Sequence, residues 1–182
     1  MIKLHQIKSQ ASPYWDSLVH IYHTSFPIDE QRPIESIAQL IEHDNRFVAY
    51  ALLDVEEGFL GLLTTWHFEE FIYIEHFAIA PNLRSKGHGT EAIKAFIKEH
   101  SKPIVLEAEP PTDEFSTRRI HFYKRCGLTL YDFHYIQPAY TTTSKPVELR
   151  LMGTLNTCIT PLSIISDTLH REVYGLSKDT QA

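Results

Sequence analysis

The chain has 182 residues, 43% hydrophobic and 22% charged, and a formal net charge of −6 with its eleven histidines counted neutral. That length suits one domain with a full core, and the balance is that of an ordinary soluble globular protein. An acidic surface argues against a general nucleic-acid binder, since phosphate backbones need a basic face, and no apolar run is long enough to span a bilayer.

Residues 2–8 read as a short strand, alternating polar and apolar without the apolar run of a signal peptide. Trp15, Leu18, Val19, Tyr22 and Phe26 have helical spacing, predicting a helix over 14–25. A proline-bounded loop from Ser25 to Pro33 leads to a second helix over 34–43, with Ile34, Ile37, Leu40 and Ile41 on one face. Strands follow at 46–53, 59–68 and 71–79, the first two joined by a turn ending at Gly58. A helix from His88 to His100 carries the stripe Ala92, Ile93, Phe96 and Ile97, and Pro103 bars its continuation. A buried strand at 104–109 comes next. The helix over 114–126 has Thr112 or Asp113 as cap and Gly127 at the left-handed position past its end. Strands at 129–137 and 147–153 flank a loop from Pro138 to Pro146, and a last helix spans 160–174. The order predicts a mixed α/β fold of about seven strands with flanking helices, and the stretch from 71 to 109 is long enough for a parallel βαβ crossover.

The most informative stretch is Ile72-Tyr73-Ile74-Glu75-His76-Phe77-Ala78-Ile79-Ala80-Pro81-Asn82-Leu83-Arg84-Ser85-Lys86-Gly87-His88-Gly89-Thr90. It is a strand, a loop with two glycines and the first turn of a helix. A helix start offers unpaired N–H groups and partial positive charge, where phosphates bind readily. Glycine lets the backbone approach phosphate oxygens, and Arg84 and Lys86 add positive charge. The spacing is neither a Walker loop nor a dinucleotide fingerprint. The bland alternative is a tight strand-to-helix turn with no ligand.

Arg84-x-x-Gly87-x-Gly89, preceded by a strand and followed by an amphipathic helix, resembles motif A of the GNAT acetyltransferase superfamily. Ser116 to Leu128, with Tyr123 and Gly127 in register, resembles motif B of the same family; Ser116 stands where asparagine is common and Leu128 where phenylalanine is common. The resemblance divides the chain into a GNAT-like acyl-CoA-binding domain over 1–153 and a C-terminal helical extension with a polar tail over 154–182. It implies acetyl-CoA as co-substrate and direct acyl transfer to a primary amine, small-molecule or peptide. The thioester would lie where strands 71–79 and 104–109 splay apart. The backbone of Phe77, Ala78 and Ile79 would pair with the pantetheine. Arg84, Ser85, Lys86, Gly87, His88, Gly89 and Thr90 would hold the diphosphate, and Ser116 would bond the pantetheine arm.

Glu75 is the first candidate for the base, with Glu107 and then Glu109 next; each also reads as a solvated or ion-paired strand residue. Strand alternation puts Tyr73, Glu75 and Phe77 on one face. Tyr123 would protonate or hydrogen-bond the departing thiolate; otherwise it is a core residue beside Ile120. The loops Phe26–Pro33 and Pro138–Pro146, with Glu30, Arg32 and Tyr140 to Thr143, are expected at the acceptor pocket. Mild acidity suits a cationic acceptor, or only keeps the chain soluble. Cys126, at a helix end that disfavours a thiolate, reads as packing. His20 and His23 share a helix face, but no third ligand is near and no metal is expected. Two cysteines, Cys126 and Cys158, without a ligand pattern fit the reducing cytoplasm. A monomer or homodimer is expected, with neither nucleic acid nor membrane as partner. The competing readings are a coenzyme A-binding regulatory module without catalysis and an interaction domain that reuses the fold.

Overall fold

Two apolar faces on a central sheet, each needing a cover of helices, decide the architecture. The computed structural model describes residues 2–156 and 159–176. In chain order the elements are β1 (Lys3–Ile7), α1 (Trp15–Ser25), α2 (Ile34–His43), β2 (Phe47–Asp54), β3 (Gly58–His67), β4 (Ile72–Ile79), α3 (His88–Glu99), β5 (Ile104–Ala108), α4 (Glu114–Arg125), β6 (Thr129–Leu130), β7 (Tyr135–Gln137), β8 (Val147–Gly153) and α5 (Leu162–Thr168). The last helix runs on through a π-helical turn, Leu169–Val173. The sheet order is β1-β2-β3-β4-β5-β8-β6, with β7 also paired to β8. Among the described residues only β4 and β5 run parallel, as the α3 crossover requires. Most expected bounds hold within a residue or two.

One face is covered by α1, α2 and α5. Leu18, Tyr22, Ile37, Ile165, Leu169 and Val173 meet Ala49, Leu62, Trp66, Tyr73 and Leu151 there. The other face is covered by α3 and α4, where Ile93, Phe96 and Ile120 meet Leu63, Ile72, Ile74 and Leu106. The C-terminal helix therefore docks on its own sheet. Each of its fully buried aliphatic side chains contributes roughly 1.5–3 kcal/mol, enough to hold a short helix with no capping side chain.

Two expectations are corrected. The strand foreseen at 129–137 is split. Leu130 faces Met152 and Tyr135 faces Leu149, so this side carries two more residues than β8 does over the same step. The surplus, around Asp132 and Phe133, loops out, and the described residues form an eight-stranded sheet within the expected mixed α/β fold. The second correction concerns β4. Thr64 faces His76 while Thr65 faces Ile74, so Glu75 is an extra residue, a β-bulge. Alternation restarts beyond it. Glu75 and His76 both look toward the α1 face, and Phe77 turns to the α4 face, where it stacks on Phe122. Tyr73, Glu75 and Phe77 thus do not share a side. Cys158 and the tail beyond Leu176 lie outside the described residues.

Candidate active site

The parallel pairing of β4 with β5 stops at Ile74–Leu106, although β4 continues to Ile79 and β5 to Ala108. The strands part beyond that rung. A cleft of about 760 Å³ opens there, lined by Ile74–Ile79 on one side and Leu106–Glu109 on the other. Its α4-side half is walled by Gly87, Gly89, Thr90, Arg118, Phe122 and Tyr123. Its α1-side half is walled by Phe26, Pro27, Glu30, Glu75, Glu107 and Gln137. The parted edges give an extended, amide-bearing arm main-chain groups to pair with.

At the phosphate end, Gly87 is the residue before α3 and has φ +92°, the left-handed region that favours glycine. A Cβ placed on it would meet nothing within 4 Å, so the backbone there is open to an approaching group. Ser85 also has positive φ, 66°. Gly89 serves a different end: its Cβ would touch the Phe122 ring at 3.4 Å and Ile79 at 3.6 Å, which makes it a packing position between α3, α4 and β4.

The α1-side half contains a buried network of acids and phenols. The Glu75 carboxylate has no exposed side-chain surface. It accepts from Arg32 Nη2 at 2.7 Å, Arg32 Nε at 3.2 Å, Trp66 Nε1 at 3.0 Å and the Tyr140 hydroxyl at 2.9 Å. The Arg32 guanidinium lies 4.6 Å from the Tyr140 ring centroid and donates to the Val173 carbonyl at 2.8 Å. Burial alone raises the Glu75 pKa, but the charge of Arg32 and these donors outweigh it and hold the group below its ordinary value. Glu107, on β5, is the opposite case. Burial lifts it to about 7, with Tyr135, Tyr73 and Tyr174 donors pulling back and the Glu75 charge adding to the rise. The Tyr174 hydroxyl is 2.9 and 3.1 Å from its two oxygens.

His76 is fully buried. Its Nε2 is 2.9 Å from the Glu30 carbonyl, and a carbonyl only accepts, so that nitrogen carries the proton; Nδ1 faces Thr64 Oγ1 at 3.3 Å. The ring is committed to holding the Glu30 loop. Glu30 itself is pushed up by burial and by Glu109 across the cleft.

The model of the Acetyltransferase (GNAT) family matches residues 5–128. This chain belongs to that family. A GNAT-family protein of Bacteroides thetaiotaomicron, provisionally named an acetyltransferase, is 30% identical; the match covers 96% of this chain and 99% of that one, with a TM-score of 0.89. YjbC of Bacillus subtilis (strain 168), also provisionally named an acetyltransferase, is 30% identical over 103 residues, 55% of this chain. That match spans about half of YjbC, 50% of its length. The spermidine N-acetyltransferase of Vibrio cholerae, solved with CoA and spermine, shares the fold at a TM-score of 0.60 and 16% identity, over 86% of this chain and 96% of that one.

Against the GNAT expectation, the structure brings Glu75, Phe77, Ala78, Ile79, Arg84, Ser85, Gly87, Gly89, Thr90, Glu107 and Tyr123 to the cleft wall. Three residues expected at the cofactor, Lys86, His88 and Ser116, do not line the cleft, and their side chains have partners of their own. Lys86 pairs with Glu57 at 3.1 Å, and His88 Nε2 lies 3.2 Å from the same carboxylate, on the β2–β3 turn. Ser116 is spent in a reciprocal cap with Asp113: its hydroxyl accepts from the Asp113 N–H at 3.1 Å, and the Asp113 carboxylate accepts from the Ser116 N–H at 2.7 Å. The third residue of a helix faces back to its cap, not into a cleft. Arg84 lines the cleft but donates from Nε to the Ile79 carbonyl at 2.9 Å, bracing the end of β4.

Sequence reasoning missed Arg118, Arg119 and Arg125, which bring positive charge to the cleft from α4. The seven-residue separation of Arg118 and Arg125 on one helix, with Arg119 adjacent, was a readable signal. It also missed Tyr174, for which no local signal exists. The two acceptor-side loops do meet, through the Lys145 N–H on Asp29 at 3.1 Å, while Thr141 and Thr143 bond one another.

The Gly87 geometry carries a prediction. Gly87→Val must either hold a β-branched residue at positive φ or rebuild the loop, and the left-handed region costs roughly 1–2 kcal/mol for an L-residue. Acetyl-CoA binding by isothermal titration calorimetry should weaken at least tenfold.

Proposed function

We propose that this chain transfers an acetyl group from acetyl-CoA directly to a primary amine, with Glu107 as the general base. The observation that carries this reading is a carboxyl group held near neutrality at the point where β4 and β5 part. A protonated alkylamine with a pKa near 10.4 is almost wholly unreactive at pH 7, a handicap of roughly 4–5 kcal/mol. A base near 7 on the cleft wall can take that proton and free the nitrogen lone pair, which then attacks the thioester carbon. The N–C bond forms, the C–S bond breaks, and coenzyme A leaves as a thiolate that takes up the proton the new amide nitrogen sheds. Glu75, ionised and locked to Arg32, is better suited to hold the wall than to exchange protons.

Tyr123 supports the leaving-group half of the reaction. It lines the cleft, and its carbonyl anchors the end of α4 by accepting from the Leu128 N–H at 3.1 Å. Burial raises its phenol to about 12. Full proton transfer to a thiolate near 8.5 would be uphill by roughly 5 kcal/mol, so its contribution is a hydrogen bond to charge developing on sulfur. Tyr123→Phe should lower kcat about 10- to 100-fold with little change in acetyl-CoA affinity. An unchanged kcat with chemistry limiting would remove the role.

The acceptor-side wall carries the carboxylates of Glu30, Glu75, Glu107 and Glu109, which suits a cationic amine. The cytoplasm, rich in acetyl-CoA and reducing, fits the buried free thiol of Cys126. The test has two stages. Calorimetry with acetyl-CoA comes first; no binding would defeat the reading outright. Thiol release is then followed against a panel of amines that includes spermidine, spermine, amino acids and peptide N-termini. Binding without release to any amine would leave a coenzyme A-binding module instead of an enzyme.

A further inference from the structure

The C-terminal segment reaches into the site from a long way off in sequence. The N–H of Tyr174 bonds the Leu169 carbonyl at 3.2 Å, one residue wider than an α-helical turn. That extra residue keeps Leu169 and Val173 in the core while Tyr174 reaches Glu107. Two further contacts hold the segment: Arg32 Nη2 on the Val173 carbonyl, and the Tyr174 ring 5.0 Å from that of Tyr140.

We propose that Tyr174 is a positioning residue for acetyl transfer, its hydroxyl fixing the Glu107 carboxylate in the orientation and protonation range that proton abstraction needs. The proposal rests on the reading of Glu107 as the base.

The donor directions follow from chemistry. A carboxylate only accepts, so the single Tyr174 proton goes to Glu107, at 2.9 and 3.1 Å from its oxygens. The Tyr73 hydroxyl lies 3.1 Å from that of Tyr174 and, with Tyr135, also acts on Glu107 as a donor. The result is a cluster of phenols gathered on the base, with Tyr174 bonded to both of its oxygens. β4 supplies Tyr73 and Glu75, β7 supplies Tyr135, and the C-terminal segment supplies Tyr174. Arg32 and Tyr140 reach Glu75 beside it. From β8 the same core presents Leu149 and Leu151, which do not titrate. Removing the Tyr174 hydroxyl takes away the donor that reaches both carboxylate oxygens and leaves Tyr73 and Tyr135, so the Glu107 pKa should rise by the share that Tyr174 supplies.

The test needs no known acceptor. The full-length protein is labelled with glutamate carrying 13C at the side-chain carboxyl, and its resonances are titrated by NMR, with Glu107→Gln identifying the Glu107 signal. The wild-type midpoint is expected near pH 7. In Tyr174→Phe it should move up by about one unit, a tenfold weaker acid. The pH–rate profile with the best amine of the panel should move its acid limb by the same amount. A second variant guards against misfolding: 3-fluorotyrosine at position 174 keeps the shape, strengthens the donor and should move the midpoint down. A folded Tyr174→Phe protein, or a fluorotyrosine protein, whose midpoint stays where the wild type has it overturns the proposal. An inactive Glu107→Gln enzyme with an unmoved Tyr174→Phe midpoint would remove Tyr174 alone. A Glu107→Gln enzyme that keeps its full rate would remove the base, and the role of Tyr174 with it.

Discussion

Glu107→Gln is expected to slow acetyl transfer about 100- to 1000-fold at about pH 7.5, within the range a positioned general base supplies. Acetyl-CoA affinity should stay within about twofold, because the phosphate-facing loop lies on the other half of the cleft. The wild-type rate should fall as pH drops through about 7, since the base must be ionised, and this limb should vanish in the variant. Stability should change with the opposite sign. Folding holds Glu107 at about 7 instead of its ordinary 4.5, and so favours the protonated form. The cost of keeping it ionised is absent below about pH 4.5, grows as pH rises through 7 and levels off at roughly 3 kcal/mol. Glutamine carries no such cost. Thermal melts should therefore show the inactive variant more stable at about pH 8 by up to roughly 5–10 °C, with the gain lost near pH 4. A variant both slow and no more stable at about pH 8 would mean that the carboxyl is not held near neutrality.

Arg32→Ala is the largest stability change expected. It removes the cation that faces the wholly buried Glu75 carboxylate, two donors to that group and the donor to the Val173 carbonyl. Stripping one partner from a buried pair costs roughly 3–5 kcal/mol because the remaining charge is left uncompensated. For a chain of this size that is roughly a 10 °C fall in Tm. The pairing that keeps Glu75 below its ordinary pKa contributes stability above about pH 4.5, lost as pH falls through the folded value. The deficit of Arg32→Ala should accordingly shrink in acid. Adding Glu75→Gln to Arg32→Ala should recover a large part of the loss at neutral pH. Two losses that simply add would show that the pair is not coupled.

The fold was legible because its elements are periodic. Helix stripes such as Ile34, Ile37, Leu40 and Ile41 announce themselves, and Gly127 and Asp113 mark the ends of α4 with local chemistry. The left-handed turn before α3 was legible for the same reason, since it depends on Gly87's own backbone. What escaped depends on partners distant in sequence. A bulge at Glu75 is fixed by the register of β3, so reading β4 alone put Phe77 on the wrong side. Ser116 fitted a spacing, yet the neighbour that consumes its hydroxyl, Asp113, was already seen as a cap. The proposal ranks Glu107 ahead of Glu75 as base for a reason hidden from the sequence: their pKa values hang on Arg32 and on tyrosines 28 to 67 residues from Glu107.

The extra residue in β4 also bears on how this stretch of sequence can change over evolutionary time. From Ile72 to Ile79, inserting or deleting one residue would exchange every side chain beyond that point between the α1-side and the α4-side half of the cleft. A change in the number of residues here reaches further than the replacement of any one of them.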